Sequence, residues 1–205
     1  MARGRPRAFD PDAALDRALD LFWRNGYDGT SLADLTRAMG INRPSLYAAY
    51  GDKRALFQKA LDRYMAGPCA LVARAVVEAP TAIAAVRALL MSITGSDACA
   101  DGPRGCLLVH GALCGGEETG EIQAELTRRR AEMERLLQAR LDGALATGEL
   151  PAGTDTGALA RFYAAVQQGI AVQAKAGARP EDLCGVVRIA LAAWPGTAQA
   201  RPTTA

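Results

Sequence analysis

The chain has 205 residues, of which 50% are hydrophobic, 22% charged and only 5% aromatic. This is globular composition with length enough for a sizeable core, and it argues against disorder. The net charge of +2 hides an asymmetry: residues 1–66 hold 11 of the 24 Lys and Arg, 8 of the 22 Asp and Glu, and 8 of the 11 aromatics. A basic, aromatic first third is thus followed by an Ala/Leu-rich, slightly acidic remainder, which suggests two parts with different work.

The predicted elements are helices almost throughout. Asp10-Pro11 pairs an N-cap with a proline at the first helical position, and Ala14, Leu15, Ala18, Leu19, Leu21 and Phe22 recur at helical spacing until Asn25-Gly26 stops the helix. Thr30-Ser31 opens a second, short helix, with Asp34 in capping-box position, Leu32, Leu35 and Met39 on one side, and Gly40 as the stop. Asn42 or Arg43 caps a third, with Pro44 in its first turn and Leu46 and Tyr50 one turn apart. Gly51-Asp52 stops that helix and caps the next, which runs from Lys53 through Leu56, Phe57, Ala60, Leu61 and Tyr64. Gly67-Pro68 predicts a kink or a break where the composition changes.

Downstream, helices are expected over Cys69–Glu78, Thr81–Thr94, about Cys106–Cys114, Glu118–Ala146, Asp155–Ala176 and Pro180–Ala193, with a loop at Ser96–Gly105 and a frayed tail from Pro195. No strand-like alternation or repeat interrupts them. The expected fold class is all-α, with about nine helices. The expected division is a basic arm over 1–7, a head over 8–66, a helical C-terminal part over 67–195, and a flexible tail over 196–205.

No apolar run reaches the roughly 20 residues of a spanning helix, so no membrane partner is expected. Basic Met1–Arg7 has no apolar segment behind it to make a secretory signal, so the expected location is the cytoplasm. The five cysteines form no Cys-x-x-Cys pair, and His110 is the single histidine. Together they offer no usual zinc set, and neither a metal nor a cofactor is expected. No Gly-rich phosphate loop, Ser/His/Asp set or metal-spaced acidic pair points to catalysis, so an enzyme is the least favoured reading.

Two short helices joined by Gly-Ile-Asn, after one long helix and before another, match a helix-turn-helix. The second helix buries Leu46 and Tyr50 and leaves Arg43, Pro44, Ser45, Tyr47, Ala48 and Ala49 on its other faces, slim enough to reach a groove floor. Arg43 can read guanine or clamp a phosphate, Tyr47 can bond a phosphate, and Ser45 can reach a backbone or base edge. Lys53, Thr30 and Ser31 stand at helix N-termini, where amides and the dipole attract phosphate. Gly4-Arg5-Pro6-Arg7 is either a minor-groove arm, through Arg5 and Arg7, or a solubilising tail.

The runs Ala18-Leu19-Asp20-Leu21-Phe22, Gly26-Tyr27-Asp28-Gly29-Thr30-Ser31, Leu35-Thr36-Arg37-Ala38-Met39-Gly40-Ile41-Asn42 and Ser45-Leu46-Tyr47-Ala48-Ala49-Tyr50-Gly51-Asp52-Lys53 resemble the TetR family of bacterial transcriptional regulators over roughly residues 8–66. Tyr50 stands where the family usually has Phe, and Pro44 stiffens the recognition helix. The resemblance implies a homodimer on a palindromic double-stranded operator, and a helical C-terminal part that binds an inducer and supplies the dimer interface. It also implies a repressor, with an activator or ligand-independent regulator of the same fold as the alternative.

For the regulatory part, the helices over Asp155–Ala176 and Pro180–Ala193 carry apolar and small residues that either pair with a second copy or cover the subunit's own core. Phe162, Tyr163 and Gln167 are candidates for a pocket taking a small, mostly apolar molecule, or are plain core. Cys106 follows Pro103-Arg104-Gly105 at the start of a predicted helix, where open amides and Arg104 favour thiolate; otherwise it is a small buried hydrophobe. Gly105-Cys106-Leu107, with Gln173-Ala174-Lys175 later, resembles TetR-type repressors that respond to electrophiles or oxidants, which makes Lys175 the implied cationic partner of the thiol.

Overall fold

Side-chain caps set the starts of the first four helices. The computed structural model describes residues 9–94, 105–112 and 119–196, and among these there is no strand. Helix α1 (Pro11–Asn25) begins where the Asp10 carboxylate accepts the amides of Asp12 at 2.9 Å and Ala13 at 3.4 Å. Helix α2 (Leu32–Met39) opens on a reciprocal capping box between Ser31 and Asp34. It closes at Gly40, whose φ of +68° lets the chain turn back so that the Ile41 amide reaches the Thr36 carbonyl at 3.1 Å. Helix α3 (Arg43–Tyr50) is capped by Asn42, not Arg43: its Oδ1 accepts the Ser45 amide at 2.9 Å. Pro44 lies in the first turn, where an amide would have no intrahelical acceptor anyway. Helix α4 (Lys53–Tyr64) starts where Asp52 accepts the Ala55 amide at 2.7 Å.

Aromatic edges knit these helices together. Phe22 meets Phe57 edge-on with centroids 5.0 Å apart, and Trp23 meets Tyr64 at 4.8 Å. Two long-range bonds hold the ends of α2 and α3 against α1. The Tyr50 hydroxyl donates to the Pro11 carbonyl at 2.7 Å, and Arg17 donates to the Met39 carbonyl at 3.2 Å. Leu46 is fully buried, which stabilises the seating of α3 by roughly 1.5–3 kcal/mol.

The break expected at Gly67-Pro68 is a π-helical turn, Met65–Cys69, with Pro68 inside it. The wider turn carries a residue that has no amide and whose ring would strike the carbonyl four residues back in a regular helix. Helix α5 (Ala70–Glu78) follows directly.

The described residues divide into two compact units. One holds the residues up to Cys69 together with Gly111–Ala112 and Thr119–Ala124; the other holds Ala70–Thr94, Gly105–His110 and Glu125–Gly196. The head therefore extends past the contiguous 8–66 expected from sequence. The second unit is built from α5, α6 (Ala82–Met91), α7 (Leu107–His110), most of α8 (Gly120–Ala146), α9 (Thr156–Lys175) and α10 (Pro180–Ala192). Its core packs Val86, Leu90, Leu137, Leu141, Tyr163, Ile170, Leu183 and Val187, with Ala85, Ala144, Ala160 and Ala174 letting the helices approach closely. The Glu149 carboxylate accepts the Ala82 amide at 2.6 Å, a negative charge at the positive end of α6. The helix expected over Cys106–Cys114 is only the single turn α7, and residues 113–118 fall outside the described ones.

Candidate nucleic-acid interface

Helix α3 is held by one face and bare on the other. Leu46 and Tyr50 are buried, whereas Arg43, Pro44, Tyr47 and Ala48 are exposed, Tyr47 to 50%, and Ser45 is half-buried. Arg43 and Tyr47 are one turn apart, so a cation and a phenol stand side by side over a slim strip of Pro44 and Ala48. This geometry presents one guanidinium for a base edge or phosphate, one hydroxyl for a phosphate, and no bulk between them.

Lys53 opens α4. Its ammonium lies 4.2 Å from the centroid of the Tyr27 ring. Partial burial holds its pKa below the ordinary lysine value, and the nearby Asp28 carboxylate works against that shift. Sequence reasoning placed Lys53 but missed what surrounds it. The Tyr27 amide donates to the Gly111 carbonyl at 2.7 Å, the Thr119 hydroxyl donates to Asp28 at 3.2 Å, and Arg54 pairs with Glu121. These contacts join Gly111, Thr119 and Glu121 to the head, and no local signal in the sequence announces them.

Two expected phosphate contacts need correction. The Thr30 side chain is buried and its hydroxyl donates to the Gly26 carbonyl at 2.7 Å, so it closes the end of α1 instead of facing a ligand. The Ser31 hydroxyl donates to Asp34 at 2.5 Å and accepts the Asp34 amide at 3.1 Å, so it is committed to the capping box. Those bonds from Ser31 hold the Asp34 carboxyl below its usual value. Arg5 and Arg7 lie outside the described residues.

The residues of the head match the model of the bacterial regulatory proteins of the tetR family over 14–60, and residues 82–190 match the tetracyclin repressor-like C-terminal domain. The chain belongs to the TetR family. It is 37% identical over 195 residues to the HTH-type transcriptional repressor ComR of Escherichia coli (strain K12), covering 95% of this chain and 93% of ComR. It is 48% identical over 62 residues, 30% of this chain and 32% of the relative, to the repressor BdcR of the same organism. Among solved structures, a cysteine variant of the TetR-family regulator CifR in complex with a 26-base-pair operator is 45% identical, covers 94% of this chain and 100% of its own, and superposes with a TM-score of 0.89. As a TetR-family member the protein is a DNA-binding transcriptional regulator with an all-helical fold.

The regulatory unit of this TetR-family chain holds the expected sensor and pocket residues. Cys106 is buried, and its carbonyl accepts the amides of Val109 and His110 at 3.0 and 3.2 Å, so it does begin a helix. That helix is the single turn α7, too short for much of the dipole assistance to a thiolate foreseen from the sequence. Gly105 before it has a φ of +68°, and a Cβ there would lie 2.8 Å from the Ala171 carbonyl and 2.8 Å from the His110 ring. Lys175, exposed at the end of α9, is one turn beyond Ala171. The Phe162 and Tyr163 rings meet edge-on with centroids 5.0 Å apart. Phe162 is 44% exposed, while Tyr163 is a core residue whose hydroxyl donates to the Ala190 carbonyl at 3.3 Å and whose pKa is raised by burial. Neighbours on a helix point about 100° apart, which is why one faces out and the other in. Gln167 is half-buried on the same helix.

Among the described residues no helix is long and apolar enough to cross a membrane, and no group of three or more His, Cys, Asp or Glu is arranged to hold a metal.

Proposed function

We propose that the protein is a homodimeric repressor, working in the cytoplasm at the nucleoid and without catalytic activity of its own. Each subunit places Arg43, Pro44, Ser45 and Tyr47 in a major groove of a palindromic operator and Lys53 on a flanking phosphate, with Arg5 and Arg7 extending into the minor groove. The observation that carries this is the two-faced α3, anchored through Leu46 and Tyr50 and bare at Arg43, Pro44, Tyr47 and Ala48. ComR and BdcR are named repressors and CifR is bound to operator DNA, which favours repression over activation.

The second copy is supported by the exposed surface of α9 and α10. Ala158, Phe162, Ala165, Gly169 and Val172 form an exposed apolar stripe at spacings of four and three, and Ile189 on α10 is 72% exposed. Two such helices from each subunit make a four-helix bundle, with Gly169 allowing close approach.

Release follows from crowding at Cys106. The thiol is buried after a glycine that has no room for even a methyl group against α9. An electrophile added to the sulfur, or a small apolar inducer wedged beside it, must displace α7. Such a ligand favours the conformation that tolerates it, and the two recognition helices lose the spacing of successive groove faces.

The test is selection of bound duplexes from a random pool with the purified full chain. A twofold-symmetric site is expected; recovery without twofold symmetry overturns the reading. On the recovered site, Cys106→Ser is expected to bind as wild type and to resist release by N-ethylmaleimide. A variant that still releases normally removes the thiol from the account.

A further inference from the structure

The region around Tyr27 does more than fill the head's core. Its ring packs edge-on against Phe57, with centroids 5.2 Å apart, and the Lys53 ammonium sits over it at 4.2 Å. Its amide is bonded to the carbonyl of Gly111, the residue that directly follows α7. Its neighbour Asp28 is the carboxylate that acts on Lys53, and Asp28 takes the hydroxyl of the buried Thr119. Next to Lys53, Arg54 is paired with Glu121 in the first turn of α8. Gly111, Thr119 and Glu121 therefore touch Tyr27, Asp28 and Arg54 around the start of α4. None of Tyr27, Asp28, Thr119 and Glu121 is placed on DNA by the reading above.

We propose that Tyr27 and Asp28 are positioning residues for DNA binding: they form a seat that aims the Lys53 ammonium at a phosphate, and Gly111 and Thr119 pin that seat. The proposal rests on the reading of Lys53 as a phosphate contact.

The physical argument has two steps. A lysine on a flexible four-carbon stem loses rotamer freedom when it grips a phosphate, and an aromatic face that already holds the ammonium removes part of that cost in advance. The seat itself is not free to drift. The backbone of Tyr27 follows Gly111, and the Asp28 carboxylate shares its attraction between the Thr119 hydroxyl and Lys53.

The experiment measures the affinity of the full-length protein for its selected duplex over a series of salt concentrations, in a mutant cycle. Lys53→Gln alone should shallow the salt slope by about 0.9 per subunit if Lys53 lies on a phosphate. Tyr27→Leu should weaken binding by about fivefold through loss of the ring under the ammonium, and Tyr27→Phe, which keeps the ring, should bind as wild type. Thr119→Val, which frees Asp28 to pull Lys53 away from the phosphate, should weaken binding by about two- to threefold. The decisive reading is the double variants: in a Lys53→Gln background the Tyr27→Leu and Thr119→Val effects should vanish. Because Tyr27→Leu also touches the core, the ring-current shift of the Lys53 ε-methylene resonance is read by NMR in wild type and in Tyr27→Phe, and it should be present in both. An unchanged slope in Lys53→Gln removes the phosphate reading and the proposal with it. A normal slope loss in Lys53→Gln together with additive losses in the double variants, or no ring-current shift, overturns the proposal and leaves Lys53 as a contact.

Discussion

The head and the regulatory unit spend their sequence differently. In the head, Asp10, Ser31, Asn42 and Asp52 each accept a backbone amide at a helix start, and an aromatic cluster around Phe22 and Phe57 fills the space between the helices. In the regulatory unit, Thr81 and Asp155 cap α6 and α9, Glu149 also accepts an amide at the start of α6, α10 starts at Arg179 without a side-chain cap, and the core mixes aliphatic side chains with alanines. Side-chain caps and aromatic contacts are thus concentrated where α3 must be presented in one position, whereas the regulatory unit is held by apolar and small side chains packed between its helices.

The most forceful way to break this comparison is to make the same kind of cut in each region. Leu46→Ala removes a fully buried anchor of α3 and should destabilise the head by about 2–5 kcal/mol, read by denaturant unfolding, with loss of operator binding. A loss below this range would mean that α3 does not depend on its anchored face. The counterpart, Ile189→Ala on α10, should leave the unfolding of the dissociated subunit almost unchanged. It should weaken self-association by roughly 1.5–3 kcal/mol per subunit, read by sedimentation equilibrium. Unaltered association would move the twofold interface away from α10.

A smaller effect sharpens the reading surface. Arg43→Ala should relax preference at one base pair in each half-site, at a cost of about 1–3 kcal/mol if the guanidinium is bidentate on guanine. Competition with single-base operator variants measures it, and uniform loss across sequences would reassign Arg43 to phosphate.

The smallest effect concerns a cap. Ser31→Ala should cost about 1 kcal/mol near neutral pH. The Asp34 carboxyl is held below its ordinary value chiefly by bonds from Ser31, so its stabilising contribution is complete above that ordinary value and is lost as pH falls through the lowered one. The gap between wild type and Ser31→Ala should therefore narrow in acid, read by thermal unfolding from neutral pH to about pH 3. A gap that stays constant would show that the Ser31–Asp34 bond carries no linked charge.

The same contrast explains what the sequence made legible. Caps and stops are local, so the starts of α1, α2 and α4 and the inward face of α3 could be read from neighbouring residues. The choice between Asn42 and Arg43 needed the backbone, because only the structure shows whose side chain accepts the Ser45 amide. The π-helical turn at Pro68 could be foreseen only as a disturbance, since two ways of sparing the missing amide have the same sequence signature. Thr30 and Ser31 misled because hydroxyls at a helix start are good phosphate ligands and good caps alike, and here both are used up internally. The partnership of Tyr27 with Gly111 joins residues far apart in the chain through backbone atoms, which no side-chain pattern encodes. Phe162 and Tyr163 read equally as pocket or as core; that Tyr163 is buried and Phe162 exposed depends on where the neighbouring helices lie.

The central claim is that the exposed face of α3 enters the major groove at two symmetric places. Methylation interference on the selected duplex tests it most directly, because dimethyl sulfate marks guanine N7 in the major groove and adenine N3 in the minor groove. The account predicts that methylated guanines at two symmetric positions block binding, and that Arg43→Ala becomes indifferent to one guanine in each half. Interference confined to adenines, or guanine interference on one side only, would contradict it.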